Sequence, residues 1–141
     1  MRIHEIMHKG VVFCYPDDTV KDVAKIMNDN QIRSVVVIDQ TGEVWGVISI
    51  MELMPFYGGD LEAVKAEDVM RPYKIEIDPQ APVEDAIELM KKHRFEHLVI
   101  IDPHAGPKRP VGIITSFDIV EYMSGLNVGR YEIHLKMDTD E

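Results

Sequence analysis

The chain has 141 residues and a formal net charge of −10, with 15 Lys and Arg against 25 Asp and Glu. That field repels a phosphate backbone, so DNA or RNA is excluded as a first reading. The 45% hydrophobic and 28% charged residues are those of a globular protein, with no apolar run near the ~18 residues of a membrane span. The start lacks an apolar signal core, and one cysteine, Cys14, makes no internal disulfide; a cytoplasmic protein is expected.

The sequence repeats itself. A shift of 63 residues lays 6–39 on 69–102 with eight identities in 34 positions: Met7, Pro16, Val20, Asp22, Met27, Val36, Ile38 and Asp39. After three extra residues in the second copy, the segment 46–52 lies on 112–118, Gly on Gly and acid on acid. A tandem duplication follows, with copies at 1–59 and 60–125, Gly58-Gly59-Asp60 breaking the chain between them, and a polar tail at 126–141.

In chain order, a short extended segment at Val11–Cys14 precedes a helix of about ten residues with its apolar stripe at Val20, Val23, Ala24 and Met27. Thr19 is its expected N-cap, with Asp22 in the first turn. The run Val35–Ile38 is apolar without alternation, which suits a strand covered on both faces. Gln40-Thr41-Gly42-Glu43 is a hairpin connection, Val44–Ser49 the return strand, and Ile50–Phe56 a last short helix. The second copy repeats this with an extended segment at Lys74–Ile77 and a helix striped by Val83, Ala86, Ile87 and Met90, opened by Pro82. A strand at Leu98–Ile101, the loop 103–110, a return strand at Val111–Thr115 and a helix at Ser116–Ser124 follow. Each copy is thus β-α-β-β-α, and the fold class is α/β (α+β). Neither copy of ~60 residues buries much surface alone, so the two are expected to share a core. The tail at Gly129–Lys136 alternates enough for one added strand.

The segment 112–118 carries the most chemistry. It runs from a buried strand into a helix, setting the Thr115 and Ser116 hydroxyls beside first-turn N–H groups where phosphate oxygens bind. Asp118 offers two oxygens to the vicinal hydroxyls of a ribose, and Gly112 lets backbone approach a flat ligand. The other use of the same residues is structural: a hydroxyl that caps the helix and an acid in its first turn.

With the tandem unit, the Pro-x-x-x-Val helix entries, the strands ending in Asp39 and Asp102, the Asp-x-x-Gly hairpin at 39–42 and Gly-h-h-[Thr/Ser]-x-x-[Asp/Glu] twice, the chain resembles the CBS-domain family, named for cystathionine β-synthase. Two copies form a Bateman module. The resemblance covers 5–124 and implies two units packed sheet to sheet with pseudo-two-fold symmetry, often pairing into a homodimer. It implies a regulator and not an enzyme, binding AMP, ADP, ATP or S-adenosylmethionine between units and modulating a protein partner that the sequence does not name. Thr115, Ser116, Asp118 and Gly112 would hold ribose and phosphate, Ile75 and Ile77 with Val111 would supply the adenine slot, and His97 and Arg33 would face phosphates. Lys74, Arg71, Lys108 and Arg109 are further phosphate candidates. The first copy keeps Ser49 but replaces the aspartate by Glu52, a methylene longer, and is expected to be the weaker site. No catalytic cofactor is expected. The alternative is a dimerisation or interaction module without a small-molecule ligand.

Other patterns are weighed against this. His93-Arg-Phe-Glu-His97 fits the H-x-x-E-H zinc pattern, but the helix is expected to end near Arg94, so the imidazoles diverge. A metalloenzyme around His93, His97 and His104 is therefore set aside, with no metal expected. Met27, Met51, Met54, Met90 and Met123 read as core filler. Cys14 reads as a small buried side chain, and Trp45 as packing on the return strand's edge or a partner.

Overall fold

The long helices form where the apolar stripes place them, and the computed structural model describes residues 1–104 and 109–125. Lys108 and the tail strand at 129–136 lie outside the described residues. A four-residue helix, α1 (Ile3–Ile6), leads into β1 (His8–Lys9) and then β2 (Phe13–Cys14). Helix α2 (Val20–Asn30) starts in a full capping box. Thr19 Oγ1 accepts the Asp22 N–H at 3.1 Å, and Asp22 Oδ2 accepts the Thr19 N–H at 3.0 Å. Strands β3 (Ser34–Ile38) and β4 (Val44–Ser49) follow as an antiparallel hairpin, turning at Gly42 with φ of 88°.

The expected last helix of this copy is divided: α3 (Ile50–Leu53) gives way to a 3-10 turn at Met54–Phe56. Pro55 is the reason, since its ring clashes with the carbonyl four residues back in an α-helix. Helix α4 (Ala66–Val69) and β5 (Arg71–Pro72) come next, then α5 (Val83–His93), β6 (His97–Ile101), β7 (Pro110–Thr115) and α6 (Ser116–Met123). Pro82 sits at the N-cap of α5, one position ahead of the helix proper. Both long helices stop on a left-handed residue at the same repeat position, Gln31 (φ 53°) and Arg94 (φ 57°). Both hairpins also slip register at the same place, Val37/Ile38 and Ile100/Ile101.

The chain divides into two compact units, Val12–Lys74 and a second made of Met1–Val11 with Ile75 onward. In Val12–Lys74 the strand order is β2-β3-β4-β5, with β2 parallel to β3 across α2. The inner face of α2 packs Val23 and Met27 against Cys14, Val35, Val37 and Ile48, with Ala66 of α4 in the same cluster. In the other unit the order is β1-β7-β6. The segment expected as a strand at Lys74–Ile77 forms no ladder, although the Ile77 N–H bonds to the Ile101 carbonyl at 3.1 Å.

Sequence copies and compact units therefore exchange their leading segments. Ala66 and Glu67 donate backbone N–H groups to the carbonyls of Asp18 (2.7 Å) and Pro16 (2.9 Å). Sixty-three residues earlier, Ile3 and His4 donate to Ala81 and Pro79, both at 2.9 Å. Each leading strand then lies across a glycine of the return strand. A Cβ on Gly46 would stand 2.6 Å from the Arg71 carbonyl oxygen, and one on Gly112 2.4 Å from that of His8.

Of the methionines expected in the core, Met27 and Met90 are buried. Met51, Met54 and Met123 are not: they project from α3, the 3-10 turn and α6 with half or more of their surface exposed. Cys14 is buried, and its burial pushes the thiol up to about 12.

Candidate functional site

Strand β7 delivers Gly112 and Thr115 to the start of α6, and Ser116 and Asp118 form its first turn. Thr115 is the N-cap. Its Oγ1 accepts the Asp118 N–H at 3.0 Å, while Asp118 Oδ2 accepts the Thr115 N–H at 2.9 Å. The Ser116 N–H is bound by the Glu96 carbonyl at 2.8 Å, so two of the first-turn donors already have protein acceptors. His97 is the ladder partner of Thr115, which brings its backbone to the same corner.

Asp118 is buried at 3% exposure, and its second oxygen is taken as well: His8 Nε2 lies 3.0 Å from Oδ1, the imidazole donating to the carboxylate. His8, itself 7% exposed, sits on β1 opposite Ile113 of β7. Sequence reasoning missed it because it belongs to the other copy by number. The signal was present, however: the 63-residue shift lays His8 on Arg71, a basic residue at the same place in both leading segments.

The close backbone approach expected over Gly112 is made by the protein's own chain. The His8 carbonyl and the Met7 side chain fill the space a Cβ would need, so strand pairing alone accounts for this glycine. Ile77 is 6% exposed and bonds at the Ile101 end of β6, four residues from His97, roughly 13 Å along a strand. It is thus a core residue away from the Thr115 corner; Ile75, two residues earlier, is half-buried. Lys74 and Arg109 are exposed, and Arg71 lies in β5.

The first copy builds the same corner with different reach. Ser49 caps α3, and Glu52 Oε1 accepts both the Ser49 N–H (2.7 Å) and its hydroxyl (2.8 Å). Ser34 pairs with Ser49 across the ladder, and the Arg33 carbonyl accepts the Ile50 N–H at 3.1 Å. Arg33 therefore stands at this corner, its side chain exposed.

His93 closes α5 and His97 opens β6, so they do not share a helical face. Among the described residues, no three His, Cys, Asp or Glu side chains gather as metal ligands. No helix among them is long and apolar enough to cross a membrane.

Comparison with known proteins agrees with this architecture. The CBS domain pair of protein MJ0100, solved in complex with 5-methylthioadenosine and S-adenosyl-L-methionine, superposes with a TM-score of 0.77 at 22% identity, covering 89% of this chain and 97% of that one. CBSX2 in complex with AMP gives 0.73 at 20% identity, over 88% and 96%. In sequence, the inosine-5'-monophosphate dehydrogenase of Methanocaldococcus jannaschii is 30% identical over 117 residues, 83% of this chain. The chain spans only 22% of that enzyme's length. Residues 3–58 and 66–125 each match the CBS domain, following the sequence copies and not the compact units, and the chain belongs to the CBS domain family.

Proposed function

We propose that the protein is a regulatory module, not a catalyst, that binds an adenosine-containing ligand at the β7–α6 corner and passes the signal to another protein. The observation that carries this reading is the corner itself, where Thr115, Ser116, Asp118 and the backbone of His97 converge at the end of a strand. CBS pairs of matching size that hold AMP or S-adenosyl-L-methionine support the ligand class. The Ser49–Glu52 corner is the weaker site, because Glu52 folds its carboxylate back onto the Ser49 hydroxyl.

The His8 contact supplies a mechanism. Asp118 is buried with His8 Nε2 on Oδ1 and the Thr115 N–H on Oδ2, so a ribose hydroxyl reaching Oδ1 would enter the space the imidazole holds and compete with it there. His8 rides on β1, and its release would loosen the leading segment. Ligand and leading segment then compete for one acid, which is the differential contact a two-state switch requires. The same contact favours the second reading, an interaction module without ligand, in which His8–Asp118 is purely structural.

Dimerisation belongs to the proposal. Met51, Met54 and Tyr57 in one copy and Phe117, Val120 and Met123 at the matching positions of the other are exposed, so each unit carries an apolar face that a second copy of the chain can cover.

Calorimetric titration of nucleotide-free protein with AMP, ADP, ATP, S-adenosylmethionine and GTP tests the reading. Saturable binding of one adenosyl compound, weakened in Asp118→Asn and strengthened in His8→Ala, is expected. No binding of any adenosyl compound would leave the interaction module standing. Light scattering of Met123→Glu against the parent protein tests the dimer.

A further inference from the structure

A cavity of about 540 Å³ opens within residues 12–74, where the end of β2, the 39–43 turn and the start of α4 meet. It lies at the far end of β3 from the Ser34–Ser49 pair, a strand's length from the Ser49–Glu52 corner. Tyr15 and Trp45 supply aromatic walls, each 42% exposed, and Asp17, Asp39 and Glu67 supply carboxylates. None of its lining residues is basic.

The walls are held in place before any ligand arrives. Trp45 Nε1 donates to Asp39 Oδ2 at 3.1 Å, and Asp39 Oδ1 accepts the Thr41 hydroxyl (2.5 Å) and the N–H groups of Thr41 (2.8 Å) and Glu43 (3.1 Å). The Thr41 hydroxyl foremost, then the Glu43, Trp45 and Thr41 N–H groups, hold the Asp39 carboxyl below the usual carboxylate range, so it is ionised at neutral pH. Phe13 braces the Tyr15 ring edge-on at 5.7 Å, and the Tyr15 N–H is bound by Asp18. The bond from the Glu67 N–H to the Pro16 carbonyl fixes the start of α4 beside them.

Aromatic faces are electron-rich, and carboxylates share their sign. Together they repel phosphate and attract positive charge. A bare metal ion needs several converging oxygens, and among the described residues the three carboxylates do not gather closely enough to ligate one. A cation carried on carbon satisfies both features, its charge meeting the acids and its stem lying against the rings. The duplication supplies an internal comparison. The shift lays Asp78 on Tyr15, Asp102 on Asp39 and His104 on Thr41, with Val111 in place of Trp45. In that copy His104 Nε2 stands 3.4 Å from Asp78 Oδ2, an exposed pairing in which the protein's own imidazole faces the carboxylate. In the first copy Thr41 turns in onto Asp39 instead, leaving the cavity to something from outside.

We propose that this cavity is a second binding site, specific for an organic cation: an ammonium or guanidinium group on an aliphatic stem. Trp45 is the only tryptophan, so its emission reports occupancy directly. The full chain would be titrated with tetramethylammonium, butylammonium and methylguanidinium chlorides, against sodium chloride at equal ionic strength. A second arm would use acetyl-lysine amide and acetyl-arginine amide, which present the same groups as protein side chains; tighter binding in either arm supports the site and names its source. A saturable change with organic cations alone is expected. Asp17→Asn combined with Glu67→Gln should weaken it about tenfold, ~1.4 kcal/mol, and Tyr15→Leu should weaken it while circular dichroism stays native. The site is refuted if sodium chloride produces the same change, if no titration saturates, or if the carboxamide variant binds as the parent does.

Discussion

Asp118 is the residue on which structure and function weigh most heavily, and its removal can be worked out in advance. Asp118→Ala deletes the acceptor of the Thr115 N–H and the partner of His8 Nε2, both in a buried setting. A hydrogen bond to an ionised group contributes about 1.5–3 kcal/mol, and a buried donor left without its acceptor costs about 1–3. Allowing for relaxation, the loss is about 2–4 kcal/mol. At this chain length each kcal/mol is about 3–4 °C of melting temperature, so a fall of roughly 6–15 °C is expected without any ligand. Glu52→Ala breaks the matching cap in the first copy, where the half-buried acid serves Ser49, and should cost about 1 kcal/mol. Thermal unfolding of both variants by circular dichroism is the assay, with His8→Ala and the double variant completing a cycle. A coupling of about 1 kcal/mol or more between His8 and Asp118 is expected. If Asp118→Ala melts within ~2 °C of the parent, or no lower than Glu52→Ala, the buried contact does not contribute as argued. Because the alanine variant is destabilised either way, Asp118→Asn is the variant for ligand binding.

Three further outcomes follow from the geometry. Gly46→Ala and Gly112→Ala each drive a Cβ into backbone of the leading strand, so each should cost about 1–3 kcal/mol or more by urea unfolding; an unmoved midpoint for either would show that the leading strand yields freely. Cys14, buried with its thiol pushed up to about 12, should react with a disulfide reagent at pH 8 only as fast as the protein opens, and immediate reaction in the native state would contradict that. Asp22 is held below its ordinary value by the Thr19 N–H and hydroxyl, and Asp39 by the Thr41 hydroxyl before its other partners. A lowered folded-state pKa means that the stabilisation is present above the unfolded value of about 3.9 and is lost as pH falls through the folded one. Melting temperature should therefore drop below about pH 4, and the drop should be shallower in Asp39→Asn.

What the sequence displays, it displays through periodicity. The stripe of Val20, Val23 and Met27 and its echo in Val83, Ala86 and Met90 mark helices because burial repeats every turn, and those residues are buried. The strands at 34–38 and 97–101 are legible because nothing polar interrupts their apolar runs, 35–38 and 98–101. Helices α1 and α4 escape notice: four residues complete barely one turn and leave no stripe. Met51, Met54 and Met123 mislead for the opposite reason, since apolar spacing on a short helix marks a face without saying whether anything covers it. The Thr115–Asp118 box illustrates a different limit. Its spacing announces a cap and a ligand corner equally well, and only the position of His8 shows where the second carboxylate oxygen goes.

The exchange of leading segments ties each copy to its twin at matching places. A repeat aligns with itself whether its first dozen residues pack at home or on its twin, so spacing is blind to the choice. Once exchanged, each return strand is policed by the other copy's leading strand, and the glycines at 46 and 112 are fixed by that crossing. In one copy the crossing reaches further, to the acid of the next helix, through the His8–Asp118 contact. One copy put an aspartate under a histidine at 118; the other extended the acid to Glu52 and turned it back on its own serine. At the hairpin end, one copy sets His104 against Asp78, while the other lines its cavity with Tyr15 and Trp45. The backbone pattern that had to be kept is therefore symmetric, and the chemistry at both ends of the sheets is not. The aromatic and acidic lining of the proposed cation cavity and the hydroxyl-bearing cap at the proposed β7–α6 site are different chemistries built on one repeated backbone.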